Sequence, residues 1–99
     1  MNKRYFFLKL NPPRPSFGTD MTMDERIVME EHIAYWLPYV NDGTIIVQGP
    51  VFDPKGIYGI AVAAVDSIET LEHLIANDPA NGLNSYEVYP MSAALKQEF

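Results

Sequence analysis

The order of strand-like and helix-like segments is the feature that most constrains how this chain can fold. Breaks rich in proline and glycine separate the segments, because proline cannot donate a backbone hydrogen bond and glycine adopts turn conformations readily. Between the breaks, β-branched and aromatic runs predict strands, and apolar residues spaced three and four apart predict helices. The predicted order is strand, helix, strand, strand, helix, strand, with strands over residues 4–10, 44–48, 57–65 and 85–89.

The two predicted helices have recognisable start and stop signals. The first can be capped by Thr22 or Asp24 and runs to about Asn41. The second follows a capping-box pattern over residues 66–69 and ends at the Asp-Pro pair 78–79. This order of elements predicts an α+β, ferredoxin-like βαββαβ fold, a four-stranded antiparallel sheet with two helices on one face. A length of 99 residues suits one domain, over residues 1–99.

Both faces of the predicted sheet are apolar. In the first strand Phe6 and Leu8 point to one side, and Tyr5 and Phe7 point to the other. The run over residues 60–65 of the third strand is apolar on both sides as well. Two helices can cover only one face, and a large exposed apolar patch marks an interaction site. We therefore expect a homodimer in which the bare sheet faces pack together.

Charge and composition exclude several classes of partner and site. Seven Lys and Arg residues face thirteen Asp and Glu residues, which leaves a net charge of −6 and no basic run for nucleic acid. The absence of cysteine removes disulfides, thiolate nucleophiles and cysteine-based zinc sites, and it fits a cytoplasmic protein. No stretch approaches the roughly 20 apolar residues of a membrane span. We expect no nucleic-acid or membrane partner.

His32 is the more interesting of the two histidines. At 100° per residue it lies about 60° from Met29 and about 40° from Trp36, at the edge of the buried stripe of the first helix. His73 points away from the stripe of the second helix and is expected to be solvated. His32 can be a half-packed structural residue, or it can be a general base, because histidine titrates near neutral pH.

Asp78 is the second candidate. It lies on the stripe side of the second helix, within about 20° of Leu71, in a last turn where the helix dipole disfavours a carboxylate. Such a residue either stops the helix or is functional. The acidic residues at the start of the first helix are expected to be solvated. Only His32 lies near them, so a metal site would lack ligands. We expect no metal and no cofactor.

Several short segments, taken together and in this order, resemble the YciI-like (YCII-related) family. They are Pro12-Pro13-Arg14-Pro15, His32-Ile33-Ala34-Tyr35-Trp36, Gly49-Pro50-Val51, Asp53-Pro54-Lys55-Gly56, Asn77-Asp78-Pro79-Ala80 and Tyr89-Pro90-Met91. The resemblance spans residues 4–91. It implies a dimeric α+β barrel, in which two ferredoxin-like sheets face each other.

The resemblance also implies which residues form the site. The histidine and aspartate that mark the family correspond to His32 and Asp78, and its strand-ending Gly-Pro corresponds to Gly49 and Pro50. Trp36, an aromatic residue beside His32, is a further substrate-binding candidate, although core packing is the more ordinary role.

One position departs from the family pattern. Many relatives carry an arginine three residues before the helix histidine, where this chain has Met29. If that arginine binds an anionic substrate, this protein needs another cation or another substrate. Arg14, in the long proline-rich loop, is the expected substitute.

Two functions from different classes follow. The first is a cofactor-independent enzyme whose His32–Asp78 pair performs acid/base chemistry on a small ring or enol metabolite. A few related proteins are dehydrochlorinase-type lyases, so lyase or isomerase chemistry is expected. The alternative is a non-catalytic dimeric module that binds a small ligand or assists a larger enzyme. The role of the tail over residues 91–99 stays open.

Overall fold

The computed structural model describes residues 3–96, which form a four-stranded antiparallel sheet and three helices. In chain order the elements are β1 (Arg4–Asn11), α1 (Phe17–Asp20), α2 (Met23–Asn41), β2 (Ile45–Val51), β3 (Tyr58–Val65), α3 (Ile68–Ala76) and β4 (Ser85–Met91). The predicted ferredoxin-like fold is confirmed, and the four-residue α1 is an addition to it. Residues 1–2 and 97–99, including the end of the tail, lie outside the described residues.

The strand order across the sheet is β2-β3-β1-β4. β1 lies inside the sheet, where Phe7 is opposite Val62 of β3 and Tyr89 of β4. β2 pairs antiparallel with β3, and its register shifts between Ile45 and Val47. β2 and β4 are therefore the two edge strands of this sheet.

Two prolines lie inside strands, contrary to the prediction that they end them. β2 continues through Pro50 to Val51, and β4 continues through Pro90 to Met91. Both strands lie at an edge of the sheet. A proline is tolerated there, because one side of an edge strand has no ladder partner that needs its missing N–H.

The helix starts are capped by hydroxyl side chains. Thr22 caps α2: its side chain accepts a hydrogen bond from the Glu25 amide at 3.1 Å, and the Glu25 carboxylate accepts one from the Thr22 amide at 2.9 Å. This reciprocal pair is a complete capping box. At α3 the cap is Ser67, which accepts from the Thr70 amide at 3.3 Å, and not Asp66 one residue earlier.

α3 ends earlier than the sequence pattern predicts. Its last helical residue is Ala76 and its C-cap is Asn77, so Asp78 lies just beyond the helix and not in its last turn. The cause is Pro79, because the residue before a proline is disfavoured in the α conformation. Asp78 therefore lies outside the helix and is buried in the protein interior.

The helices pack on one face of the sheet and leave the other face uncovered within the described chain. The buried core comprises Phe6, Leu8, Trp36, Ile45, Ala63, Val65, Leu71 and Leu74. On the opposite face Val47 and Tyr89 are each 50% exposed, and Tyr5 and Phe7 are half-buried. The two-sided apolar pattern of β1 is thus present in the fold. None of the helices within residues 3–96 is long and apolar enough to cross a membrane.

Candidate active site

A buried carboxylate, that of Asp78, is the centre of the site. The residue is only 4% exposed. Its Oδ2 accepts hydrogen bonds from His32 Nδ1 at 2.8 Å, from Trp36 Nε1 at 2.8 Å and from the Tyr86 hydroxyl. Its Oδ1 accepts one from the Ala80 amide at 2.8 Å. Four donors therefore compensate for the removal of this carboxylate from water.

These hydrogen bonds decide the charge of Asp78. Burial by itself would raise the pKa of the carboxyl, but the four hydrogen bonds outweigh it and lower the pKa from 3.8 to about 2. Burial and the neighbouring carboxylate raise the pKa of the Tyr86 phenol above 10. At neutral pH Asp78 is therefore an anion and Tyr86 is a neutral donor.

The same network determines which nitrogen of His32 carries a proton. An ionised carboxylate can only accept hydrogen bonds, so Nδ1 of His32 must be the donor toward Asp78. In the neutral ring the proton then resides on Nδ1, and Nε2 carries a lone pair. Nε2 has no hydrogen-bond partner among residues 3–96. His32 is thus held in the tautomer that a general base requires, the arrangement in which an aspartate orients a catalytic imidazole.

Three parts of the fold bring these side chains together. His32 and Trp36 are four residues apart, so both project from the same side of α2. Tyr86 lies on the strand β4, and Asp78 lies in the connection between α3 and β4. A further hydrogen bond, from the Tyr35 hydroxyl to the Leu74 carbonyl at 2.7 Å, joins α2 to α3. The His32–Asp78 contact joins residues 46 positions apart.

His32 lines a cavity of about 420 Å³. This volume suits a small molecule, since ligand pockets commonly measure roughly 300–1,000 Å³. Its walls are mostly apolar, for example Leu8 and Leu10 of β1 and Phe17 of α1. Besides His32, the polar or phenolic side chains of the lining are Gln48, Tyr58, Asn84 and Tyr86.

The predicted substrate-binding residues fall into two groups. Trp36, Gly49 and Pro50 line the cavity together with His32. Trp36 also belongs to the buried core, so it packs in the core and lines the cavity at the same time. Arg14 is not among the residues that line the cavity.

Arg14 instead fastens the proline-rich loop to the start of α2. Its Nη1 and Nη2 donate to the two Glu25 carboxylate oxygens at 2.8 Å each, and its Nε donates to Asp20 Oδ1 at 2.9 Å. The hydrogen bonds to Glu25 and Asp20 raise the pKa of the guanidinium further. The geometry therefore gives the prediction of substrate binding by Arg14 no support.

Two residues of the site, Tyr86 and Asn84, were not among the predicted site residues. From the sequence, Tyr86 is one of several aromatic residues expected in the core or the dimer interface, with a substrate contact as the alternative, and its position opposite Leu10 puts it on the helix-covered face. The segment Asn81-Gly82-Leu83-Asn84 has the composition of a turn, yet Asn84 is 5% exposed and lines the cavity beside Met29. The signal for both was their nearness in sequence to Asp78.

The fold and the site define a class: small α+β proteins in which a buried aspartate holds a histidine at an apolar pocket. Residues 6–93 match the family model of the YCII-related domain. The chain therefore belongs to the YCII-related family, as its sequence motifs suggested. A search of curated proteins found no match to the chain. Within residues 3–96, no group of three His, Cys, Asp or Glu side chains is placed to hold a metal ion.

Proposed function

We propose that this protein is a cofactor-independent acid/base enzyme that acts on a small ring or enol metabolite. His32 is the general base, and Asp78 orients it and stabilises its protonated form. One observation carries the proposal: the 2.8 Å contact between His32 Nδ1 and an ionised, fully hydrogen-bonded Asp78 leaves Nε2 as the free basic nitrogen of a cavity-lining ring.

The proposed chemistry begins with removal of a proton. Nε2 of His32 takes a proton from a substrate carbon next to a carbonyl or enol group, and the ring becomes an imidazolium paired with Asp78. In a lyase reaction the electron pair of the broken C–H bond forms a double bond, and a leaving group departs from the neighbouring carbon with its own electron pair. In an isomerase reaction the imidazolium returns the proton to another carbon.

Trp36 and Tyr86 have a supporting role in this mechanism. Each donates a hydrogen bond to Asp78 Oδ2 and so favours the ionised form of the carboxylate. Because Asp78 stays an anion, it stabilises the imidazolium without taking the proton itself. The apolar walls exclude competing water and strengthen the electrostatic contact between His32 and Asp78.

Exchange of substrate hydrogen with solvent tests this function without knowledge of the leaving group. In D₂O, proton NMR follows the loss of carbon-bound hydrogen from a panel of cyclic ketones and hydroquinones. We expect the wild type to accelerate exchange of at least one compound, and His32→Ala to lose at least about 100-fold of that acceleration. His73→Ala is the matched control, because His73 is an exposed histidine on α3 and keeps full activity.

Two results would contradict the proposal. One is equal exchange by the wild type and His32→Ala. The other is no acceleration of any compound that NMR titration shows to be bound. The second result favours the alternative function, a non-catalytic small-ligand-binding or accessory module.

We also propose that the protein is a homodimer that packs through its uncovered sheet faces. The support is the apolar surface around Val47 and Tyr89, which is half exposed in the single chain. Light scattering after size exclusion tests it: Val47→Glu should give monomers, and Leu37→Glu, a control on the exposed side of α2, should not. An unchanged dimer in Val47→Glu with native circular dichroism would contradict this assembly.

A cytoplasmic location without nucleic-acid or membrane partners belongs to the same proposal. It is supported by the cysteine-free, acidic sequence.

A further inference from the structure

We propose that the cavity selects uncharged, mostly apolar small molecules and rejects anions and cations of the same shape. This inference names the substrate class of the proposed enzyme and rests on the cavity being its binding site. Three features of the molecule support it: the charges at the cavity wall, the contacts of Arg14 and the hydrogen bonding of two polar side chains.

The wall of the cavity carries no permanent charge within the described part of the chain. None of its lining residues is Lys, Arg, Asp or Glu, and its exposed surface is overwhelmingly apolar. Transfer of an unpaired ionised group from water into such surroundings costs far more than transfer of a neutral polar group. A charged ligand would find no opposite charge in the lining to offset that cost, because the carboxylate of Asp78 lies outside the lining and is already paired with four hydrogen-bond donors.

Arg14, the cation that the sequence suggested for an anionic substrate, is already engaged, and the Lys9 ammonium, 4.5 Å from the centre of the Tyr58 ring, is outside the lining as well. The guanidinium of Arg14 contacts the carboxylates of Asp20 and Glu25, and these two acids balance its single positive charge. Its fixed position at the start of α2 also keeps it out of the lining. A substrate carboxylate or phosphate would have to displace these two carboxylates to reach it.

The polar atoms at the wall also disfavour an anion. His32 Nε2 carries a lone pair in the neutral ring, and the ring's positive form is balanced by Asp78 on its other side. Asn84 donates from Nδ2 to Met29 Sδ at 3.2 Å, and its Oδ1 is buried without a hydrogen-bond partner among residues 3–96. Both atoms carry partial negative charge, but Asn84 Oδ1 has almost no accessible surface, so only Nε2 can meet a ligand directly. A neutral ligand with an O–H, N–H or acidic C–H group meets the lone pair of Nε2 favourably.

The amide of Asn84 has a defined orientation, which matters for this partial charge. The Met29 sulfur can accept a hydrogen bond and cannot donate one, so it selects the NH₂ side of the amide. The backbone around Asn84 is held by its amide donating to the Ala80 carbonyl at 3.0 Å and its carbonyl accepting from the Gly82 amide at 3.2 Å. The oxygen of the amide, and not its nitrogen, is therefore the unpaired group.

Three probes of nearly identical shape test the proposal: benzamide, benzoate and benzamidinium, which are neutral, anionic and cationic at pH 7.5. Binding to the full-length protein is measured by NMR titration of backbone amides, with Gly49 and Ala61 as reporters in the cavity wall. We expect benzamide to bind at least about tenfold more tightly than either charged probe. Equal or tighter binding of benzoate or benzamidinium would overturn the proposal, and so would binding of none of the three.

A variant pair on α2 tests whether the charge of the wall causes the selectivity. Ile33 lines the cavity and is 58% exposed, so Ile33→Arg adds a cation at the mouth with little effect on the core. We expect this change to reduce the ratio of the benzamide affinity to the benzoate affinity by about threefold or more. Ile27→Arg, at a 48% exposed position outside the lining, should leave this affinity ratio unchanged. An unchanged affinity ratio in Ile33→Arg would refute the electrostatic explanation of the ligand selectivity.

The outcome is independent of the exchange assay for the proposed function. Selective binding of benzamide together with no exchange activity would refute the enzyme and keep the uncharged ligand class. Exchange activity with no preference for benzamide would support the enzyme and refute the uncharged ligand class.

Discussion

Replacement of Asp78 by asparagine tests the central electrostatic argument, because it removes the charge and keeps the shape. The folded-state pKa of about 2 lies below the ordinary value of 3.8. This lowering of the pKa corresponds to about 2 kcal/mol of stability at neutral pH. The asparagine side chain has no such contribution, whatever else the substitution costs.

The pH dependence follows from the direction of this pKa shift. A carboxyl whose pKa is lowered by folding contributes fully above its unfolded pKa and loses its contribution as the pH falls through its folded pKa. For Asp78 the window lies between about pH 4.5 and about pH 2. About 1 kcal/mol of the contribution is lost by pH 3, and about 2 kcal/mol by pH 2.

The assay is urea unfolding followed by circular dichroism at pH 7, 5 and 3, with all proteins at one concentration. We expect the difference in unfolding free energy between the wild type and Asp78→Asn to shrink by about 1 kcal/mol from pH 7 to pH 3. Leu71→Ala is the control, because it destabilises a fully buried core position without changing a titrating group. Its difference from the wild type should not vary with pH. If the Asp78→Asn difference is also constant, the carboxyl is not held as an anion by its four donors.

Three further sets of substitutions have expected effects on the stability of the fold. Tyr86→Phe removes one donor to the charged Asp78 and should cost about 1.5–3 kcal/mol in urea unfolding; no measurable loss would contradict the hydrogen bond. Thr22→Ala removes the cap of α2 and should cost about 1 kcal/mol, which thermal unfolding can detect. Gly56→Ala should destabilise more than Gly82→Ala: both glycines have positive φ, but only at Gly56 does an added Cβ lie 2.8 Å from a backbone oxygen. Equal melting temperatures of these two variants would contradict that contact.

The elements of the fold were predictable because their signals are local. The capping box at Thr22, the glycine turns and the apolar stripes each depend on residues within a few positions of one another. The errors arise where the meaning of a local signal depends on the sheet. The strand ends at Pro50 and Pro90 were wrong because only the sheet order shows that β2 and β4 are edge strands.

The candidate site could be predicted only in part. His32 and Asp78 stood out from their positions on the helices and from the family resemblance, but no local signal shows that they are in contact. Arg14 looked free because its partners Asp20 and Glu25 appear as ordinary acidic residues in the sequence. Asn84 looked like a turn residue because burial cannot be inferred from turn composition.

The sequence by itself determined the order of the elements, the helix caps and an apolar pattern on both sides of the sheet. These properties follow from backbone preferences and side-chain spacing over a few residues. Only the tertiary structure decided the charge of Asp78, the tautomer of His32, the engagement of Arg14 and the uncharged wall of the cavity. The charge of Asp78 and the tautomer of His32 depend on groups distant in sequence, which change one another's solvation and hydrogen bonding once packing brings them within about 3 Å. The engagement of Arg14 depends on how the loop and the start of α2 fold against each other, and the cavity wall depends on which residues of separate elements the packing brings together.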